Sequence, residues 1–236
     1  MALTSVLLTN NGRTNHYQFQ YDDSLSPPKS PGGPEPTRTN AVIANCENDF
    51  NLMGGWFPNI SLDVNTPIAV NVIPPGQPFA CAIPGACWGL SSSNLTVTIS
   101  DPNIYSISSD IVRYLIVSEM VEQFMRAQGK GWYGSGTEGS EGEGLSRFLG
   151  AQFLAVNRLG NPPAGYTNSN YWLSSSRNDY VNNPKRTDDG PDVITGCSLL
   201  FIYYLFSQLA FSTNTIVAAG AGTLGGVYRN LTGDVQ

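Results

Sequence analysis

The stretch from Ser108 to Gly150 constrains this chain more than any other. It opens as SSDIVRYLIVSEMVEQFMRAQ, passes through a connection rich in glycine, and resumes as GEGLSRFLG. The first piece is apolar almost all round from Ile111 to Val117 and amphipathic afterwards. That is the pattern of a helix sunk in a core at one end and opening onto something polar at the other. Ser108 or Ser109 supplies an N-cap, and Asp110 places an acid in the first turn, where the helix dipole favours one. Ser118, Glu119 and Glu122 fall at i, i+1 and i+4, close to one helix face. Seven glycines between Gly129 and Gly144 end the helix and predict a mobile loop. A second helix then runs from Glu143 to Leu159, closed by Gly160 and two prolines.

Residues 1–107 read as β-structure. Thr4–Thr9 is a short apolar run, and His16–Tyr21 alternates aromatic with polar, the period of a half-buried strand. Ser24–Thr39 holds five prolines and two glycines, which predicts an exposed loop. Further strands are expected at Ala41–Ala44, Ile60–Val64, Ile68–Val72 and Leu95–Ser100, separated by turn signals such as Pro74-Pro75-Gly76. Beyond the second helix, Asn161–Gly190 is polar and irregular, with Tyr171, Trp172 and Tyr180 expected to pin it to the body. Pro191 opens a third helix reaching about Phe211, apolar nearly throughout and hence expected to be buried. Asn214–Ala219 and Thr223–Asn230 read as two short closing helices. The expected fold class is α+β: a β-rich region 1–107 packed on a helical region 108–236, together forming one compact unit.

A chain of 236 residues can bury a sizeable core. Its net charge of −6 and the lack of a basic stripe argue against nucleic acid as partner. Charged residues make up only 13%, while Asn, Ser, Thr and Tyr are abundant, a composition that suits a surface of interaction. The longest apolar run, Cys197–Phe211, is interrupted by Ser198, Ser207 and Gln208 and falls short of the roughly 20 residues a bilayer requires, so no membrane span is expected. The opening MALTSVLLTNNG lacks a basic segment and a long apolar one, which predicts no signal peptide. The chain is then either cytoplasmic, or released or carried on a particle by another route. Three N-x-S/T triplets, at Asn59, Asn94 and Asn230, carry meaning only in a eukaryotic secretory route. Of the four cysteines, Cys81 and Cys87 bracket the turn AIPGA, close enough for a disulfide; buried free thiols are the other reading.

The segment Ser118-Glu119-Met120-Val121-Glu122, followed by Gly142-Glu143-Gly144-Leu145-Ser146, resembles the core of the zincin-type metallopeptidases, in particular their gluzincin branch. There one helix carries H-E-x-x-H and a later helix supplies a glutamate as third zinc ligand. The 21 positions from Glu122 to Glu143 are close to that family's spacing. The likeness covers about half the chain. It implies a zincin-like core in which Glu119 matches the general base and Glu143 the third ligand, while Ser118 and Glu122 stand where the two histidine ligands would be. His16, the chain's one histidine, matches nothing.

A serine hydroxyl is a poor zinc ligand, and three carboxylates suit harder cations such as Ca²⁺, Mg²⁺ or Mn²⁺. The reading of these residues is therefore threefold. Glu119, Glu122 and Glu143 are remnant carboxylates held by hydrogen bonds, with Arg147 or Arg113 as partners for Glu119; or a solvated face with Glu122 paired to Arg126; or a working carboxylate site. The leading expectation is a non-catalytic zincin-like protein, without a zinc cofactor, acting on a protein partner or through self-assembly. The alternative is a hydrolase that uses Glu119, Glu122 and Glu143 with a hard metal or as acid and base. In one version Glu119 and Glu143 form a glycosidase pair beside Trp132 and Tyr133 as a sugar platform. A Cys–His or Ser–His–Asp arrangement finds no support around Cys197 or His16, and Gly134–Gly144 lacks the ending of a phosphate loop.

Overall fold

The computed structural model describes residues 2–77, 81, 85–134, 139–160, 167–185 and 192–234. The fold is mixed α+β, with the strands in the N-terminal part and most of the helices in the C-terminal part. It forms two compact units, one of residues 1–52 and 63–120, the other of residues 53–62 and 121–236. Between these units the chain passes from the first to the second at Met120/Val121, inside the helix Ser109–Gln128.

The first unit is built on a five-stranded sheet of β1 (Leu3–Thr4), β2 (Tyr17–Asp22), β3 (Ile68–Val72), β4 (Gly85–Ser91) and β5 (Asn94–Ser100), in the order β1-β2-β3-β5-β4. The central β2, β3 and β5 are parallel, and the two edge strands run antiparallel to their neighbours. Alternation sets the register: Phe19, Val70 and Val97 align across the sheet, as do Tyr21, Val72 and Ile99, and all six are buried. The connection from β2 to β3 holds α1 (Thr37–Ile43) and the first turns of α2 (Cys46–Trp56).

Three expectations fail in this region. Ala41–Ala44 lies in α1 and its C-cap and is not a strand, because Arg38, Thr39, Val42 and Ile43 are buried at helical spacing; a four-residue apolar run could not distinguish the two. Ser24–Thr39 is no plain exposed loop. The Asp22 side chain caps a 3-10 turn at Asp23–Leu25 through Ser24 N (2.9 Å), and Leu25 and Glu35 are buried. No strand forms at Ile60–Val64. The edge strand β4 has no apolar alternation to announce it, since GACWGLS is short on branched residues; residues 82–84 of the AIPGA turn lie outside the described residues. Cys81 and Cys87 are joined as a disulfide, their Cα atoms 5.5 Å apart, while Cys46 and Cys197 are free and buried.

The helix α3 (Ser109–Gln128) begins where the sequence places it, with Ile111 N–H reaching Ser108 Oγ at 3.4 Å. The second unit holds its last turns together with α4 (Gly139–Val156), α5 (Thr167–Leu173), α6 (Asp192–Ser207), α7 (Thr213–Ala218) and α8 (Leu224–Thr232). The second helix starts at Gly139, four residues earlier than expected, so Gly139, Gly142 and Gly144 are helical. Residues 135–138 of the glycine-rich connection lie outside the described residues, as does Pro191. Within the polar stretch after α4, residues 167–173 form α5, and Tyr171 is 56% exposed instead of pinning the segment.

Glycine in α4 has a packing role. A Cβ on Gly144 would stand 2.6 Å from Ser198 Cβ and 3.0 Å from the Ser198 carbonyl carbon, so α4 meets α6 with almost no side chain between them. Phe148 then packs edge-on against Tyr203 and Phe206 of α6, with ring centroids 5.1 and 5.4 Å away. Nearby, the indole of the fully buried Trp132 donates to Val217 O at 3.0 Å. In an open helix Gly→Ala gains about 1 kcal/mol. Gly144→Ala is instead expected to lose about 1–3 kcal/mol in urea unfolding, the scale of overpacking a filled interface, and Ser198→Gly in the same chain to recover part of it.

Candidate functional site

The carboxylates singled out by the sequence sit on two helices. Ser118, Glu119 and Glu122 are on α3, the first two in the first unit and Glu122 in the second; Glu143 is on α4 in the second. All four are half-buried, and Met120 and Val121 between them are fully enclosed, so the middle of α3 is not a plain solvated face. Ser118 Oγ is sealed from solvent with no hydrogen-bond partner among the described residues. Glu143 is occupied one turn along its own helix: Arg147 Nε donates to Glu143 Oε2 at 3.1 Å. Arg113 is likewise engaged, by Asp49 and Asp110, and Arg126 is exposed. Two residues before Glu143, Glu141 is buried completely, a carboxylate that the sequence reading passed over in favour of its neighbour.

These residues do not fit the zinc ion that the resemblance implies. Zinc requires nitrogen, sulfur or free carboxylate donors in tetrahedral array. Here a hydroxyl stands at one position, a carboxylate at the second, and the third is bridged to a guanidinium. Among the described residues no three His, Cys, Asp or Glu side chains are grouped to hold a metal ion. The sugar platform also loses a member, because Trp132 is fully buried with its N–H bound to a backbone carbonyl.

The first unit has its own cluster of ionisable groups, centred on α2, which the sequence reading did not place. Asp49 takes Arg113 from α3 in two bonds, Nη2 to Oδ1 at 2.7 Å and Nε to Oδ2 at 2.8 Å, with both side chains buried; Asp110 adds a longer contact at 3.7 Å. The hydrogen bonds that Arg113 donates to Asp49 raise its pKa further, so this guanidinium stays charged. A second buried pair joins Arg38 to Glu35, and Arg38 Nη1 also donates to the carbonyls of Ile104 and Ile107.

Two residues before Asp49, Glu47 grips His16 twice, accepting from the backbone N–H at 2.9 Å and lying 2.6 Å from Nδ1, while the ring stacks on Phe50 at 3.8 Å. A carboxylate that orients a histidine through Nδ1 is half of a catalytic triad. Among the described residues no nucleophile is seen to complete it. The nearby Cys46 thiol donates to Ile43 O at 3.3 Å, and burial, reinforced by Glu47 and Asp49, pushes its pKa up to about 11 against the pull of Thr14. It rests as a protonated thiol and is no nucleophile. The only sequence signal for this cluster is the acidic pair in Cys46-Glu47-Asn48-Asp49, which places two carboxylates in the first turn of a helix.

Glu47 supplies a pH test. Burial alone would raise its pKa, but hydrogen bonds from Thr14 and from the backbone and ring of His16 outweigh burial and hold it below the ordinary value of 4.5. A depressed folded-state pKa contributes stability that is complete above the unfolded value and lost as pH falls through the folded one. Glu47→Gln is therefore expected to cost roughly 1 kcal/mol at pH 7, the lower end for a partly exposed charged hydrogen bond. In chemical denaturation it should also flatten the decline in stability below about pH 4.5; an unchanged acid limb would mean that Glu47 does not carry it. No protein-family model matches this chain, and no curated protein matches it.

Proposed function

We propose that this chain is a non-catalytic, zincin-like protein that acts through binding or self-assembly on a scaffold whose zinc site has been lost. The observation that carries the reading is the state of the three ligand positions taken together. Ser118 offers an enclosed hydroxyl with no hydrogen-bond partner among the described residues, Glu122 stands where an imidazole would, and Glu143 is bridged to Arg147 at 3.1 Å. A carboxylate that neutralises a guanidinium on the next turn is poorly placed to supply charge to a metal or to a reacting water. The glycine after Glu143 serves the approach of α4 to α6. No helix among the described residues is long and apolar enough to cross a membrane.

Restoring the two histidines tests the scaffold. Ser118→His with Glu122→His sets two imidazoles at i and i+4 on one helix, the spacing that zinc accepts. The zincin-like reading predicts that this double variant takes up one zinc per chain and gains thermal stability with rising zinc concentration, while the parent does neither. A folded double variant that takes up no zinc removes the resemblance as a basis for function. Self-assembly is tested separately: light scattering at high micromolar concentration should show a mass that grows with concentration, and a strict monomer would leave binding to a different partner.

A further inference from the structure

The helix α6 is expected from its sequence to be buried, yet one face is open. Ile194, Ser198, Ile202 and Leu205 form the inner stripe and are buried. A second stripe at helical spacing, Cys197, Phe201, Tyr204 and Gln208, turns toward a cavity of about 530 Å³ whose opposite wall carries Trp172 and Val181. Phe201 is half-buried and Tyr204 is 43% exposed. The Trp172 ring is fixed by its N–H, which donates to Asn178 O at 3.0 Å. A second cavity of about 460 Å³ shares Val181, Phe201 and Tyr204 and continues to Asn182, Tyr228, Arg229 and Asp234. Each volume lies within the range of roughly 300–1,000 Å³ usual for small-molecule sites, and aromatic walls with a few polar groups at one end are their usual lining.

The two ends differ in chemistry. The first is aromatic and aliphatic, and its thiol, Cys197, is held protonated by burial. The second carries one cation and one anion among the described residues that line it. Asp234 Oδ2 already accepts from the Tyr228 hydroxyl at 3.3 Å, whereas Arg229 is exposed and presents a planar fork of donors. We infer that this trough binds a small amphipathic ligand, with an aromatic or aliphatic body against Trp172, Phe201 and Tyr204 and an anionic end at Arg229. The site is made wholly from the second unit and is independent of whether the carboxylates of α3 and α4 do any chemistry.

Two fluorescent probes with the same aromatic body test it on the full chain: anilinonaphthalene sulfonate, which is anionic, and neutral N-phenyl-1-naphthylamine. Both are expected to bind one per chain, to displace each other, and to receive energy from Trp172, so that the transferred signal falls in Trp172→Phe. Arg229→Gln should weaken the sulfonate about threefold, the scale of an exposed ion pair, and leave the neutral probe unchanged. Tyr204→Glu should abolish binding of both while circular dichroism stays native. Binding that is absent, or unaffected by Tyr204→Glu, overturns the site. Equal response of both probes to Arg229→Gln overturns the anionic end. Probe uptake that falls as protein concentration rises would show a second copy covering the trough, and would overturn the assignment to a small ligand.

Discussion

The first unit depends on the bidentate pair between Asp49 and Arg113. It fastens the start of α2 to the start of α3 by two bonds of 2.7 and 2.8 Å, away from water. Such a pair gains little over a well-packed apolar one, but breaking it leaves a charge buried without its partner, which costs about 3–5 kcal/mol. It acts less as a source of net stability than as a lock on the position of α3. The same logic applies to Arg38, which pairs with Glu35 and caps the carbonyls of Ile104 and Ile107 just before α3 begins. The entry to α3 is thus held by two arginines, and the sheet is held by the aligned rows Phe19–Val70–Val97 and Tyr21–Val72–Ile99.

Charge is scarce in this chain, and a large part of it goes into such pairs. Arg113, Arg38 and Arg147 each hold a carboxylate, and Glu47 holds His16. The residues that a sequence reader would assign to chemistry are, in several cases, engaged in packing or hydrogen bonds. Glu143 belongs with Arg147, Gly144 with the surface of α6, and Trp132 with Val217. A scaffold of this kind presents apolar and aromatic surface more readily than reactive groups, and the open face of α6 is one place where it does so.

The sequence was legible where periodicity is strong. The strands β2, β3 and β5, the start of α3 and the last two helices follow from alternation, capping and helical spacing. It was not legible where the determinants are tertiary. Ala41–Ala44 is four apolar residues that suit strand or helix alike, and only the burial of Arg38 and Thr39 a turn earlier decides for helix. The strand β4 is defined by its pairing with β5, since GACWGLS has no alternation of its own. Arg113 and Asp49 are 64 positions apart, and no local signal joins them. For the candidate site the order is reversed. The motif positions were visible at once, but their bonding state was not, because an i, i+4 ion pair and an orphaned hydroxyl depend on side-chain directions that a sequence does not specify.

The proposed reading requires that the carboxylates of α3 and α4 serve no metal. Titration calorimetry of the purified full chain with Zn²⁺, Mn²⁺ and Ca²⁺, after elemental analysis, tests it most directly. No metal at stoichiometric level and no saturable heat with any of the three ions is expected. One equivalent of a bound metal, lost on Glu143→Ala in a chain that remains folded, would contradict it and return Glu119, Glu122 and Glu143 to a catalytic role.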